Sequence, residues 1–387
     1  MDNQQNFDDI RPFHDEEVPV VLERLLNEPS FESVASKAIP FIKYDELKKS
    51  LLNVKSKSEF QHSIMLKILD YIELTTTKGV KTEGLDQLDP AQEYLFISNH
   101  RDIVLDSALL SAELAKAGRK TCEIAIGDNL LIFPWIVDLV RLNKNFIVRR
   151  GVGVRQMLAA SRQLSSYIHY ARTEKHESIW IAQREGRAKD SNDRTQEALI
   201  KMLNLGGESE SIIENIKALN ISPLSITYEY DPCDYLKAKE FQLKRDNDDY
   251  KKPESEDLLN MQTGIMGQKG HVFFHAAPSI NAELDTLPDN LDKADTISAI
   301  ASIIDDAIHR HYHIFPHNYV ALDYVNKARS YEVIRYTEDE RNAFSAYVDG
   351  QISKIDIPGK DEKYLRDRIM EMYANPLKNY LAARNVK

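Results

Sequence analysis

The chain has 387 residues, 42% of them hydrophobic, with 50 basic and 61 acidic side chains and a formal charge of −11. That length can bury a substantial core in two or three domains, or in one catalytic domain with helical extensions, and the acidic balance argues against nucleic acid as a partner. No run of eighteen apolar residues is present to span a bilayer, and Cys122 and Cys233 are too few for a disulfide framework or a four-cysteine zinc site.

The polar start Met1-Asp2-Asn3-Gln4-Gln5 does not read as a signal peptide, so a cytoplasmic location is expected. Up to about Gly84 the pattern is helical: acidic residues precede amphipathic stretches at 16–26 and 58–72, which predicts a helical unit over residues 1–80. From there strands and helices alternate. Strands are predicted at 94–98, 121–126, 145–148, 178–182, 221–228 and 271–274. Helices are predicted at 106–117, closed by Gly118, and at 154–170, where Val154, Met157, Leu158, Ser161, Leu164 and Ile168 share one face. This alternation predicts an α/β layer structure over residues 81–320. Residues 237–269, with Lys244-Arg245-Asp246-Asn247-Asp248-Asp249, read as a charged surface insertion with helical parts. Helical patterns return at 297–309 and 337–384, giving a helical extension over 321–387 that packs on the core.

The most informative stretch is Asn99-His100-Arg101-Asp102-Ile103-Val104-Leu105-Asp106, carried on the apolar run 94–98. A histidine that acts as a base near neutral pH needs a neutral imidazole, a held second nitrogen and a substrate proton in reach. His100 lies on a strand-to-helix turn, and Asp102 or Asp106 can orient it; Asp102 stands where a helix cap belongs, which favours Asp106 as the partner. His100-Arg101-Asp102 also spells the start of a kinase catalytic loop. That reading fails, because Ser107 replaces the required Asn, no Asp-Phe-Gly follows, and Gly151-Val152-Gly153 lacks a third glycine.

Basic residues follow two further predicted strands. Arg149, Arg150 and Gly151 end one; Gln183, Arg184, Glu185, Gly186, Arg187, Ala188 and Lys189 end the other. Arginine clamps phosphate bidentately and glycine lets backbone approach a ligand, so together they suggest a phosphate-bearing substrate. His309-Arg310-His311-Tyr312-His313 lacks the spacing of a metal site and suits a helix end.

The order of these motifs resembles the glycerophospholipid acyltransferase family, which includes bacterial lysophosphatidate and glycerol-3-phosphate acyltransferases. His100 to Asp106 is similar to its His-x4-Asp block, Phe146-Ile147-Val148-Arg149 to its second, Glu185-Gly186-Arg187 to its Glu-Gly-x-Arg third and Ile221-Ser222-Pro223-Leu224 to its fourth. The apolar segment Leu130-Leu131-Ile132-Phe133-Pro134-Trp135 is similar to the one after the family's second strand, so the resemblance covers residues 80–320. Five residues rather than four separate His100 from Asp106, and Arg187 follows Gly186 directly, which brings Arg184 and Lys189 into question as substitutes for a displaced arginine.

The resemblance implies an acyltransferase-type mixed sheet flanked by helices, and direct transfer of a fatty acyl group from acyl-CoA or acyl carrier protein with no covalent enzyme intermediate. His100 is then the base and Asp106 fixes its tautomer. Arg149 and Arg187, with Arg150 and Lys189 beside them, hold the acceptor phosphate; Glu185 orders that clamp, and N–H groups near Glu185-Gly186 serve the oxyanion. The implied acceptor is 1-acylglycerol 3-phosphate, with glycerol 3-phosphate or a lyso-aminolipid such as lyso-ornithine lipid as alternatives. A non-catalytic lipid-binding protein is the reading of a different class. No metal and no cofactor beyond the acyl carrier is implied, and the enzyme would work peripherally at the inner membrane face.

Overall fold

The computed structural model describes residues 7–38, 42–151, 153–253 and 255–385. Its sheet runs β1 (Val80–Glu83), β2 (Leu95–Ser98), β3 (Glu123–Gly127), β4 (Asn145–Val148), β5 (Ile179–Ala182), β6 (Ile221–Tyr228) and β7 (Val272–Ala276), in the spatial order β1-β7-β6-β2-β5-β3-β4. From β6 to β4 neighbours are parallel; β7 is antiparallel to β6, and β1 parallel to β7. The sheet is therefore mixed. The ends of β2, β3, β4, β5 and β6 fall on one edge, where open α/β sheets place their ligands.

The expected strands are present with ends shifted by a residue or two, and β1 is an addition in a region read as helical. Its four residues alternate half-buried Val80 and Thr82 with exposed Lys81 and Glu83. So short a charged edge strand leaves little pattern to detect.

Before the sheet come α1 (Val18–Leu26), α2 (Pro29–Ala38), α3 (Tyr44–Leu51), α4 (Lys57–Phe60) and α5 (Leu66–Thr76), with a π turn between the last two. After β2 follow α6 (Leu105–Lys116), α7 (Pro134–Leu142), α8 (Val154–Thr173), α9 (Glu197–Asn204) and α10 (Ile212–Lys217). The N-terminal helices build a core of their own, closed by Leu142 of α7 and tied to it by Arg24, which donates to both carboxylate oxygens of Asp138 at 2.7 and 2.6 Å.

Side-chain alternation splits the sheet into two faces. Leu95, Ile97, Ile179 and Ile181 meet Leu164, Tyr167 and Ile168 of α8, whereas Phe96, Trp180, Leu224, Ile226 and Tyr228 meet Leu105, Leu109 and Leu110 of α6. The predicted apolar face of α8 needs correction: Met157 and Leu158 are exposed at 51% and 58%. Twenty residues of helix span about 30 Å, far more than a four-residue strand, so the first turns of α8 overhang the sheet. Val154's side chain lies outside the described residues.

Beyond β6, α11 (Asp234–Asp246) and α12 (Ser255–Met266) precede β7, followed by α13 (Asn281–Leu284), α14 (Lys293–Arg310), α15 (Pro316–Asn326), α16 (Glu338–Ser353) and α17 (Glu362–Asn385). The predicted helical stretch 337–384 is thus two helices. A further correction concerns 237–269: its charged centre 244–249 is exposed and its helical parts are present as expected, but its start is not on the surface. α11 packs into the core of the C-terminal helices through Ala238, and Lys237, 2% exposed, is buried because it pairs with Asp231.

Candidate functional site

At the end of β2, Asn99 extends the sheet with its side chain. Its amide donates to Ile226 O and accepts the Ile226 N–H, both at 2.8 Å, so β2 and β6 remain fastened where the His100 turn begins.

His100 follows, its ring edge-on to Trp180 at 5.6 Å between centroids, and Trp180 is itself fixed by an indole N–H bond to Ser98 Oγ at 3.0 Å. His100 Nδ1 lies 2.8 Å from Asp106 Oδ2. The same oxygen accepts the backbone N–H groups of Arg101 at 2.6 Å and Asp102 at 3.1 Å. Three polar contacts therefore converge on that one oxygen. With Nδ1–H donated to Asp106, a neutral imidazole keeps Nε2 as its acceptor, and the side chain retains 13% exposure.

Asp102 takes a different place. Its Oδ1 accepts the N–H groups of Val104 and Leu105 at 2.9 and 2.8 Å, capping the turn into α6. Burial, and then the charge of Asp106, raise its pKa. It also packs against α12, where a Cβ on Gly264 would stand 1.9 Å from Asp102 Oδ2.

Between them Arg101 anchors the turn. Its buried guanidinium pairs with Asp193, which also accepts from the Tyr312 hydroxyl at 3.0 Å, and its carbonyl takes a 3.5 Å bond from Lys237. Nothing in the His-Arg-Asp string distinguishes this internal ion pair from a surface arginine, and its partners lie far along the chain.

The two arginines after β4 diverge. Arg150 turns toward β5: its guanidinium covers Gly127, where a Cβ would come within 2.7 Å of Arg150 Nε, and Nη1 is 3.9 Å from Glu185 Oε1. Arg149 turns away and pairs with Asp9, because residues 7–10 run beside β4, with Ile147 N–H donating to Ile10 O at 2.9 Å. Successive residues of an extended chain point to opposite sides, so one position separates a cleft cation from an outer one.

After β5, Gly186 adopts φ +66°, a conformation suited to glycine. Arg187 donates to Asn260 Oδ1 of α12 at 3.0 Å, and its charge opposes the burial that raises the Asp102 pKa. Arg187 Nη1 is buried without a partner, an open donor at this edge. The Glu185 N–H donates to Gln196 Oε1 at 2.9 Å, so that amide is already engaged. Lys189 pairs with Glu240 of α11.

Among the described residues no group of three or more His, Cys, Asp or Glu could hold a metal ion. His309 is turned inward, its Nε2 2.9 Å from Asp193 O, and burial pulls its pKa down to about 4. Cys122 and Cys233 are buried, which pushes each thiol up to about 12. Asn99, Arg101, Trp180 and Asn260 are given no role by the sequence reading; the first two lie in the His100 stretch and Trp180 in a predicted strand, whereas Asn260 carried no local signal.

Residues 79–203 match the acyltransferase family model. That segment is an acyltransferase domain. It extends from β1 to α9 and holds the first three motif blocks, while the fourth, in β6, lies beyond it. The chain also has a structural likeness to PlsC, the 1-acyl-sn-glycerophosphate acyltransferase of Thermotoga maritima, with a TM-score of 0.35, 10% identity, and coverage of 74% of this chain and 94% of that one. No curated protein matches the sequence. Within the acyltransferase segment the His100–Asp106 pair, Arg150 and Arg187 all stand at the ends of parallel strands β2, β4 and β5.

Proposed function

We propose that the protein moves a fatty acyl group from acyl-CoA or acyl carrier protein to the hydroxyl of a lysophospholipid, with 1-acylglycerol 3-phosphate as acceptor and phosphatidate as product. The observation that carries this reading is the 2.8 Å bond between His100 Nδ1 and Asp106 at the carboxyl edge of the sheet. It leaves Nε2 to act as a base.

In the proposed step, His100 Nε2 takes the acceptor's hydroxyl proton as its oxygen attacks the thioester carbonyl. The C–S bond then breaks, and the imidazolium returns the proton to the leaving thiolate. Asp106 holds the tautomer and balances the charge that forms on the ring. Arg150 and Arg187 hold the acceptor's phosphate, with Glu185 ordering Arg150; Arg149, engaged with Asp9, has no part in this clamp. A metal is not required for any of these transfers.

Acceptor and donor meet at a bilayer surface in this reading. Ile132 and Phe133, 44% and 50% exposed just past β3, offer an apolar contact there. No helix among the described residues is long and apolar enough to cross a membrane.

The test is transfer from labelled acyl-CoA and acyl carrier protein to a panel of 1-acylglycerol 3-phosphate, glycerol 3-phosphate and lyso-ornithine lipid. Phosphatidate is the expected product, and His100→Ala should abolish it while circular dichroism and Tm stay unchanged. Product from another acceptor would reassign the substrate. Failure with every acceptor, with lipid still bound, would make the protein a lipid-binding one.

A further inference from the structure

The Asp106 carboxylate is only half accounted for. Oδ2 takes the imidazole and two backbone N–H groups, whereas Oδ1 is buried and has no hydrogen-bond partner. A carboxylate oxygen left bare inside a protein is costly, so the nearest unpaired donor matters.

Strand register supplies that donor. Ser98 of β2 pairs with Leu224 of β6, and alternation puts Leu224, Ile226 and Tyr228 with Phe96 on the face that α6 covers. Asn99 fastens the end of β2 to Ile226, which places Tyr228 two residues further toward the edge where α6 begins. Its hydroxyl, like Asp106 Oδ1, is buried and unpaired. Burial comes first among the causes that raise the Tyr228 pKa well above its ordinary value, and the charge of Asp106 comes second, so the two groups are neighbours.

The geometry points to Tyr228 as a positioning residue for the His100–Asp106 pair, its O–H being the donor that Asp106 Oδ1 lacks. Neither atom has a formed hydrogen bond in the structure. Such bonds in resting active sites often close only when substrate binds. The donated O–H draws carboxylate charge away from Oδ2, so the imidazolium is held less tightly and gives its proton back more readily. Tyr228 acts through Asp106 and touches no reacting atom.

This inference rests on His100 being the base, and its test is built to separate the two. In Tyr228→Phe, which keeps the ring, the titration midpoint of the His100 imidazole is followed by NMR on histidine-labelled full chain, with the signal assigned by its loss in His100→Ala. Removing the O–H should return charge to Oδ2 and raise that midpoint by about half a pH unit or more. In the acyl-transfer assay the acid limb of kcat should move by the same amount, with kcat about tenfold lower and KM unchanged. An unchanged or lowered midpoint, even with a reduced Tm, would overturn the assignment and leave Tyr228 a packing residue. If the wild-type protein transfers nothing, the functional reading fails, yet the NMR midpoint still decides the role of Tyr228.

Discussion

At the scale of single residues, two carboxylates one helical turn apart compete for one imidazole, and backbone direction separates them. Asp102 spends its Oδ1 on two N–H groups ahead of α6, while Asp106 turns back under the loop to reach Nδ1. Asp106→Asn should therefore lower kcat by about 10²- to 10⁴-fold, since an amide cannot stabilise the imidazolium and favours the wrong tautomer. Asp102→Ala should instead cost about 1 kcal/mol of stability as a lost cap, with kcat within about tenfold of wild type; kinetics and urea melts on the two proteins decide this. A second contrast separates the adjoining arginines. Arg150→Ala should raise the KM for the phosphorylated acceptor about tenfold or more, whereas Arg149→Ala should leave it within about twofold. The histidine and its choice of acids were legible in sequence because they stand within seven positions. Which arginine faces the cleft was not, because that depends on residues 7–10 running along β4.

Among elements, the unexpected pieces are α11 and α12. The lysine- and aspartate-rich centre, 244–249, is exposed as a solvated face should be, whereas residues on either side of it cover the His100 turn. Lys237 reaches the Arg101 carbonyl, Asn260 holds Arg187, and Gly264 leaves room for the Asp102 carboxylate. Each of these is a polar contact made at long range, and hydrophobic periodicity carries no trace of such pairings. The strands tell the opposite story: β2 and β6 are buried along their whole length, so their apolar runs alone located them.

For the whole molecule, a buried acid at the start of α11 helps to fasten the C-terminal helices. Asp234 accepts from the hydroxyls of Tyr347 at 2.8 Å and Tyr373 at 2.9 Å, and from Gln351 Nε2 at 2.5 Å. Burial, followed by the charge of Asp231, raises its pKa from 3.8 to about 7. The folded state thus holds this proton more tightly than the unfolded chain does. Its contribution to stability is complete below about pH 4 and is lost as pH rises through 7, on the order of 4 kcal/mol over that window. Asp234→Asn, neutral throughout, should gain on wild type by a comparable amount between pH 4 and 8 in urea melts. A parallel loss in both proteins would place the pH dependence elsewhere.

The Asn99 clasp and the Lys237 bond join residues 127 and 136 positions apart. During synthesis the ribosome therefore releases His100 and Asp106 long before their bracing arrives. For that interval the nascent chain holds the imidazole and its carboxylate with no fixed aim, and a polypeptide stopped at the end of the acyltransferase segment would keep both groups but not their alignment.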